Sequence, residues 1–120
     1  MPTFALVMTI PANTPKENPL IKVAELIKGI IKTIRLQHPT GCEYDARVNF
    51  SCESNRILPV AEKNDAVDYL AFESTNPEPF PVDYKMQKDR AIIIMQGWNL
   101  DAVYEHTITA FIEVEPQGAQ

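Results

Sequence analysis

The chain has 120 residues, a formal net charge of -5 at pH 7, 45% hydrophobic residues and 22% charged residues. This length predicts one domain, residues 1–120, with a core large enough to fold without a metal or a disulfide. The acidic balance argues against nucleic acid as a partner, because affinity for phosphates requires clustered Lys and Arg. No apolar stretch approaches the roughly 20 residues that a membrane span requires.

The beginning of the sequence lacks a positively charged segment followed by an apolar one, so we expect no signal peptide and synthesis in a cytoplasm. Cys42 and Cys52 could flank one strand, whose two ends lie too far apart for a disulfide. Both thiols are therefore expected to be reduced and mostly buried, as in a reducing compartment.

Alternating apolar residues predict a first strand over residues 4–10. The proline-rich residues 11–19 end it, since prolines withhold donors from a sheet and set loop geometry. Residues 20–34 are ambiguous, because their apolar positions recur at helical spacing and also alternate. We favour two strands joined at Lys28-Gly29 over an amphipathic helix, because every neighbouring segment has a strand pattern.

The middle of the chain predicts further short strands. After a turn at residues 38–41, residues 44–52 form the clearest amphipathic strand, with alternate residues from Tyr44 to Cys52 on its dry face. Residues 56–60 and 67–72 are expected to be short strands. Residues 74–83, with three prolines, are expected to be a long connection, followed by a brief pairing segment at 84–86.

The last quarter of the chain is expected to form a hairpin in the middle of the core. Residues 91–95 are apolar on both sides, which predicts a strand covered on both faces. Residues 97–101 predict a turn. Residues 103–114 alternate almost perfectly and predict a half-buried strand with Tyr104, His106 and Ile108 on its inner face.

About eight short strands with loops between them predict an all-β fold. The spacing is typical of an antiparallel β-sandwich, jelly-roll-like ahead of immunoglobulin-like.

The residues indicate no catalytic, metal or cofactor site. His38 and His106 are too few for a metal site of the cupin kind, and His106 is expected to be a hydrogen-bonded core or interface residue. Cys42 is a poor candidate nucleophile, because neighbouring acidic residues would raise its pKa. No glycine spacing matches a phosphate loop, and no carboxylate pair is marked as buried. The candidate carboxylates are Glu43, Asp45, Glu53 and Glu73. We expect a protein that is not an enzyme, with no cofactor and no small-molecule substrate.

Aromatic residues offer two interpretations. A sugar-stacking platform would require an exposed Trp98, whereas a core that Trp98 closes at one end would require a buried one. The platform would consist of Tyr44, Tyr69, Tyr84, Trp98 and Tyr104.

Seven turn and strand motifs follow one another in a recognisable order along nearly the whole chain. They are Thr9-Ile10-Pro11-Ala12-Asn13-Thr14-Pro15, Lys28-Gly29-Ile30-Ile31, His38-Pro39-Thr40-Gly41-Cys42, Leu58-Pro59, Gly97-Trp98-Asn99, His106-Thr107-Ile108-Thr109 and Glu113-Val114. In these motifs the chain resembles small β-sandwich proteins encoded near virion structural genes in tailed bacteriophages and related prophages. The resemblance implies a capsid cement (decoration) protein, made in the host cytoplasm, that binds the major capsid protein on the virion surface. It also implies a homotrimer and no catalytic residues.

Proline lowers the entropy that a loop loses on docking, so the proline-rich loops and the predicted 97–101 turn are the expected contacts with the capsid protein or sister subunits. The candidate residues are Pro11, Asn13, Pro15, Pro19, Pro77, Pro79, Pro81, Trp98 and Asn99. The alternative function is a carbohydrate-binding or receptor-binding module of a phage tail.

Overall fold

A computed structural model describes residues 2–37, 45–59, 68–71 and 76–116, which form eight β-strands and no helix. Within that part of the chain no helix is long and apolar enough to span a membrane. Because all eight elements that the described residues form are strands, the all-β prediction is confirmed. The strands are β1 (Thr3–Ile10), β2 (Leu20–Ile27), β3 (Gly29–Gln37), β4 (Ala46–Cys52), β5 (Asn55–Leu58), β6 (Glu78–Lys85), β7 (Arg90–Asn99) and β8 (His106–Pro116).

The strands form two four-stranded antiparallel sheets packed face to face. Sheet 1 has the order β1-β8-β3-β6, and sheet 2 has the order β2-β7-β4-β5. Apart from the β4–β5 hairpin, each connection crosses from one sheet to the other. This interleaved order is that of an eight-stranded jelly roll. The predicted jelly-roll sandwich is thus confirmed.

The core lies between the inner faces of the two sheets, as the period-two pattern requires. In β1, β4 and β8 alternate residues are buried, and these strands have the most regular alternation in the sequence. The largest fully buried side chains are Phe50, Met8, Ile10, Leu26, Ile31, Ile34, Leu36, Met86, Ile93, Met95, Ile108 and Ile112.

The ambiguous residues 20–34 form two strands that meet at Lys28, as we favoured. They lie in different sheets, because β2 pairs with β7 whereas β3 pairs with β8 and β6. A Cβ atom on Gly29 would collide with the backbone carbonyl oxygen of Glu115, so a residue without a side chain is required where the chain crosses over. The apolar positions of this segment also fitted a helix because β2 has apolar residues on both faces. Ile21, Val23 and Ile27 lie on its outer face and are exposed.

The hairpin predicted for the last quarter is wrong. β7 pairs with β2 and β4, whereas β8 pairs with β1 and β3 in the other sheet. The predicted turn at 97–101 is also wrong, since β7 continues to Asn99 and the loop comprises residues 100–105. Gly97 lies within the strand because Met8 and Ile10 occupy the space where a Cβ would be. Nor is β7 covered on both faces, since Ile92 is half-exposed.

The long connection predicted at 74–83 is wrong over most of its length. Residues 78–85 are β6, an edge strand that pairs with β3, and residues 72–75 lie outside the described part. Prolines fit there, because an edge strand has one side without a partner strand. Also outside the described residues are His38, Cys42, Glu43, Tyr44 and Glu73, with the turn at 38–41 and the two end residues, Val67 and Phe72, of the strand predicted at 67–72. The described residues of that prediction, 68–71, do not form a strand, since Leu70 makes only a single bridge to Val48.

Candidate functional site

The strand registers place two loops at the same end of the sandwich. Ile10 is opposite His106 and Leu20 is opposite Gly97, so residues 11–19 and residues 100–105 emerge side by side. We call this the loop end. The short turns at residues 53–54 and 86–89 lie at the opposite end.

Asn99, the last residue of β7, connects the loops at the loop end. Its buried Nδ2 donates hydrogen bonds to the carbonyl oxygens of Tyr104 (2.9 Å) and Ile10 (3.2 Å), and its Oδ1 accepts one from the N–H of Asp101 (2.9 Å). Its own backbone N–H donates to the carbonyl oxygen of Thr14 (3.0 Å). One side chain therefore bonds to backbone groups of β1 and of the loop before β8.

Asn13 joins the loop at residues 11–19 to the loop at residues 100–105 by hydrogen bonds. Its φ of 58° is a conformation that Asn tolerates better than most residues. In that conformation its N–H donates to the carbonyl oxygen of Asp101 (2.8 Å) and its Nδ2 to that of Ala102 (3.4 Å). Thr14 closes the same turn by donating from Oγ1 to the carbonyl oxygen of Pro11 (2.7 Å). The two loops thus form one hydrogen-bonded unit.

Asp101 orders the 100–105 loop from within. Its Oδ1 accepts hydrogen bonds from the N–H groups of Val103 (2.9 Å) and Tyr104 (3.1 Å). These two bonds, the one from Val103 first, lower the pKa of Asp101 below its ordinary value, and His106 adds to the effect. Its Oδ2 lies 3.0 Å from Nε2 of His106. His106 is a buried, hydrogen-bonded residue, as predicted.

The same ordered loop exposes large apolar side chains. Val103 is 71% exposed and Tyr104 is 68% exposed, with Leu100 half-exposed beside them. We call these three residues the loop tip. Val103 and Tyr104 were predicted to lie in a strand, with Tyr104 on its inner face; that prediction is wrong, since β8 begins at His106 and both side chains are exposed. The sequence contained one indication of the loop tip, because Val103 does not fit the alternation of residues that begins at Tyr104.

Trp98 is 2% exposed and does not form a stacking platform. Tyr69 meets its ring edge-on at 6.0 Å between centroids, and Nζ of Lys16 lies 5.5 Å from the Trp98 centroid. Lys16 also forms a 2.8 Å ion pair with Asp68, which lowers the pKa of that carboxyl. The interpretation in which Trp98 closes one end of the core agrees with this burial. The exposed Trp98 that a sugar platform would require is not observed.

No protein-family model, curated protein or solved structure matches this chain. The resemblance to phage structural proteins therefore stays a prediction.

The candidate contact residues divide into two groups in the structure. Pro11, Asn13, Pro15, Pro19, Trp98 and Asn99 lie together at the loop end. Pro77 precedes β6, and Pro79 and Pro81 lie within it along the edge of sheet 1. Because Trp98 and Asn99 are buried, a partner would meet the loops that these two side chains support.

The opposite end is closed by Glu53. Its carboxylate accepts hydrogen bonds from the N–H groups of Gln87 (2.9 Å) and Lys88 (2.8 Å) and from the hydroxyl of Tyr84 (2.7 Å). The N–H of Gln87 and then the Tyr84 hydroxyl lower the pKa of Glu53. Burial, followed by the hydrogen bond to Glu53, raises the pKa of Tyr84. These contacts pin the β4–β5 turn to the β6–β7 turn.

The described residues bring no reactive set together. No three His, Cys, Asp or Glu side chains within them could jointly hold a metal ion. Cys52 is buried as a free thiol, and burial followed by the charge of Glu53 raises its pKa to about 11. A thiol with that pKa is protonated at neutral pH and unreactive.

Proposed function

We propose that this chain is a non-enzymatic virion structural protein, a capsid decoration protein that binds the major capsid protein through its loop end. The observation that carries the proposal is the loop tip. Three large apolar side chains are exposed on a loop whose backbone is held by Asn99, Asn13 and Asp101. An ordered apolar projection of this kind suits contact with another protein surface.

The hydrogen bonds that order the 100–105 loop favour the loop tip as a contact with a partner. A loop that is already fixed loses little conformational entropy on docking, so more of the apolar contact energy appears as affinity. Fully burying one such side chain contributes about 1.5–3 kcal/mol, so the tip alone supports only weak binding. Weak contacts suffice for a decoration protein that makes several contacts on one shell, because they act together.

The partner proposed is a protein rather than a nucleic acid, since the chain carries 16 acidic and 11 basic residues. Eight-stranded jelly rolls occur in viral capsid proteins, lectins and cupins, so the fold by itself does not choose a function. The capsid is proposed because the turn and strand motifs of the sequence resemble those of phage β-sandwich proteins. The homotrimer that they imply stays a prediction.

A carbohydrate-binding module of a phage tail is the second candidate, and Tyr104 is the observation that favours it. Its ring is 68% exposed at the loop tip, as a residue that stacks on a sugar would be. Replacing Tyr104 by Leu separates the two functions. Leu keeps an apolar contact for a protein surface but has no ring to stack, so capsid binding should persist and sugar binding should not.

The direct test is co-sedimentation with shells assembled from the major capsid protein alone. The double variant Val103→Ser/Tyr104→Ser should bind at least about tenfold more weakly, which corresponds to about 1.4 kcal/mol. Ile27→Ser is the matched control, because Ile27 is comparably exposed but lies at the end of β2 that is far from the loop end. Full binding by a folded double variant, or an equal loss in the control, would exclude the loop tip as the contact.

A further inference from the structure

The four sheet edges differ in how they resist pairing with another strand. Native proteins protect edges with prolines, charged residues or very short strands. β6 contains Pro79 and Pro81, β2 carries Lys22 and Glu25, and β5 has only four residues. β1, the remaining edge, has eight residues (TFALVMTI) with no charge, no proline and no glycine.

The backbone of β1 has unused hydrogen-bonding groups on its open side. The N–H of Val114 donates to the carbonyl oxygen of Pro2 (3.0 Å), which fixes the phase of the antiparallel ladder between β1 and β8. In that phase the even-numbered residues of β1 bond to β8. Thr3, Ala5, Val7 and Thr9 therefore direct their N–H and C=O groups away from the sheet. All four are exposed, and no described backbone group outside β8 bonds to β1.

The β1 sequence is complementary to itself in the antiparallel sense. With Leu6 opposite Leu6 of a second copy, Thr3 lies opposite Thr9, Phe4 opposite Met8 and Ala5 opposite Val7. Threonine pairs are favourable cross-strand neighbours, and every other pair in this register places an apolar residue opposite an apolar residue. No charged residue is brought opposite another. The nearest acidic group on β8, Glu113, is already paired with Arg35 at 3.0 Å.

We propose that two copies of this chain pair through β1, antiparallel and about a two-fold axis at Leu6. The four outward-directed residues of each copy then form four residue pairs that exchange two backbone hydrogen bonds each. The two copies of sheet 1 become one continuous eight-stranded sheet, in which Phe4 gains Met8 of the second copy as a cross-strand neighbour and Val7 gains Ala5. Such a contact is isologous and closed, so it ends at a dimer.

This pairing does not depend on the proposed capsid function, and it differs from the homotrimer that the phage resemblance implies. A second copy is the occupant because the match lies within the β1 sequence itself. An extended segment of another protein would need no such symmetry.

The experiment measures the mass of the purified chain in solution by light scattering and the amide exchange of β1. A chain of 13.5 kDa should be found as a dimer of about twice that mass. The N–H groups of Thr3, Ala5, Val7 and Thr9 should be protected, although β8 offers them no acceptor. Val7→Lys should give a folded monomer in which this protection is lost.

Val23→Lys is the matched control. Val23 is 56% exposed and Val7 52%, and both lie on the outer faces of edge strands, so the two substitutions add the same charge in similar settings. The control should remain dimeric. A monomer or a trimer at the highest soluble concentration, or a dimer that Val7→Lys leaves intact, would overturn the pairing. So would a dimer that Val23→Lys breaks as well.

Discussion

Replacing Asn99 with alanine removes the side chain that connects the two loops of the loop end. The change deletes hydrogen bonds to the carbonyl oxygens of Tyr104 and Ile10 and from the N–H of Asp101. A net contribution of about 1 kcal/mol for each bond gives about 3 kcal/mol, and buried groups left without a partner add to that loss. For a domain of this size the melting temperature should fall by about 10 °C.

Urea unfolding and amide exchange together test this magnitude. Asn99→Ala should lower the unfolding free energy by about 3 kcal/mol and accelerate exchange at the N–H groups of Asn13 and Asp101. The matched control is Asn18→Ala in the same region, which removes an exposed amide and should change stability by no more than about 0.5 kcal/mol. A loss below about 1 kcal/mol for Asn99→Ala, with unchanged exchange, would refute the role assigned to this residue.

Three further predictions concern single sites. Because the folded-state pKa of Glu53 is lowered, its contribution to stability is present above about pH 4 and is lost as the pH falls through that pKa. In Glu53→Gln the unfolding free energy, measured with urea, should therefore fall less steeply at acid pH than in the unsubstituted chain. The same steepness in both proteins would contradict this. Gly97→Ala should cost about 1–3 kcal/mol in thermal unfolding, since the new Cβ would lie 2.5 Å from Sδ of Met8, and a neutral result would contradict the packing. Cys52 should react with a thiol reagent in the native protein only as fast as the fold opens, and peptide mapping that shows immediate reaction would disprove its burial.

The elements that the sequence predicted are those with a strong local pattern. Strands β1, β4 and β8 alternate regularly, and their buried faces follow from that period alone. Lys28-Gly29 was correctly taken as a junction, because a glycine between two apolar runs interrupts either a helix or a strand. The pairing of β7 was missed, since nothing local shows that consecutive strands lie in different sheets.

Gly97 and the prolines of β6 were misjudged for one reason. Glycine and proline were taken as signs of a turn, which is their most frequent role. In this fold Gly97 makes room for Met8 and Ile10 from the facing sheet, and Pro79 and Pro81 lie on an open edge. Both roles depend on neighbours distant in sequence.

The loop end was predicted in part. The proline-rich loop and residues 97–99 were selected from composition, and the structure brings them together. The exposed tip was missed because the alternation around Tyr104 is strand-like. Its exposure arises from the turn that Asp101 forms with Val103 and Tyr104, a contact that the period-two pattern does not show.

The most direct test of the proposed function is the copy number of this chain relative to the major capsid protein. It would be measured by quantitative mass spectrometry of particles purified from cells that express the chain together with its neighbouring genes. A fixed, high ratio that falls in particles made with Val103→Ser/Tyr104→Ser is the predicted result. Absence from the particles, or only a few copies in each, would contradict a decoration protein and favour the tail.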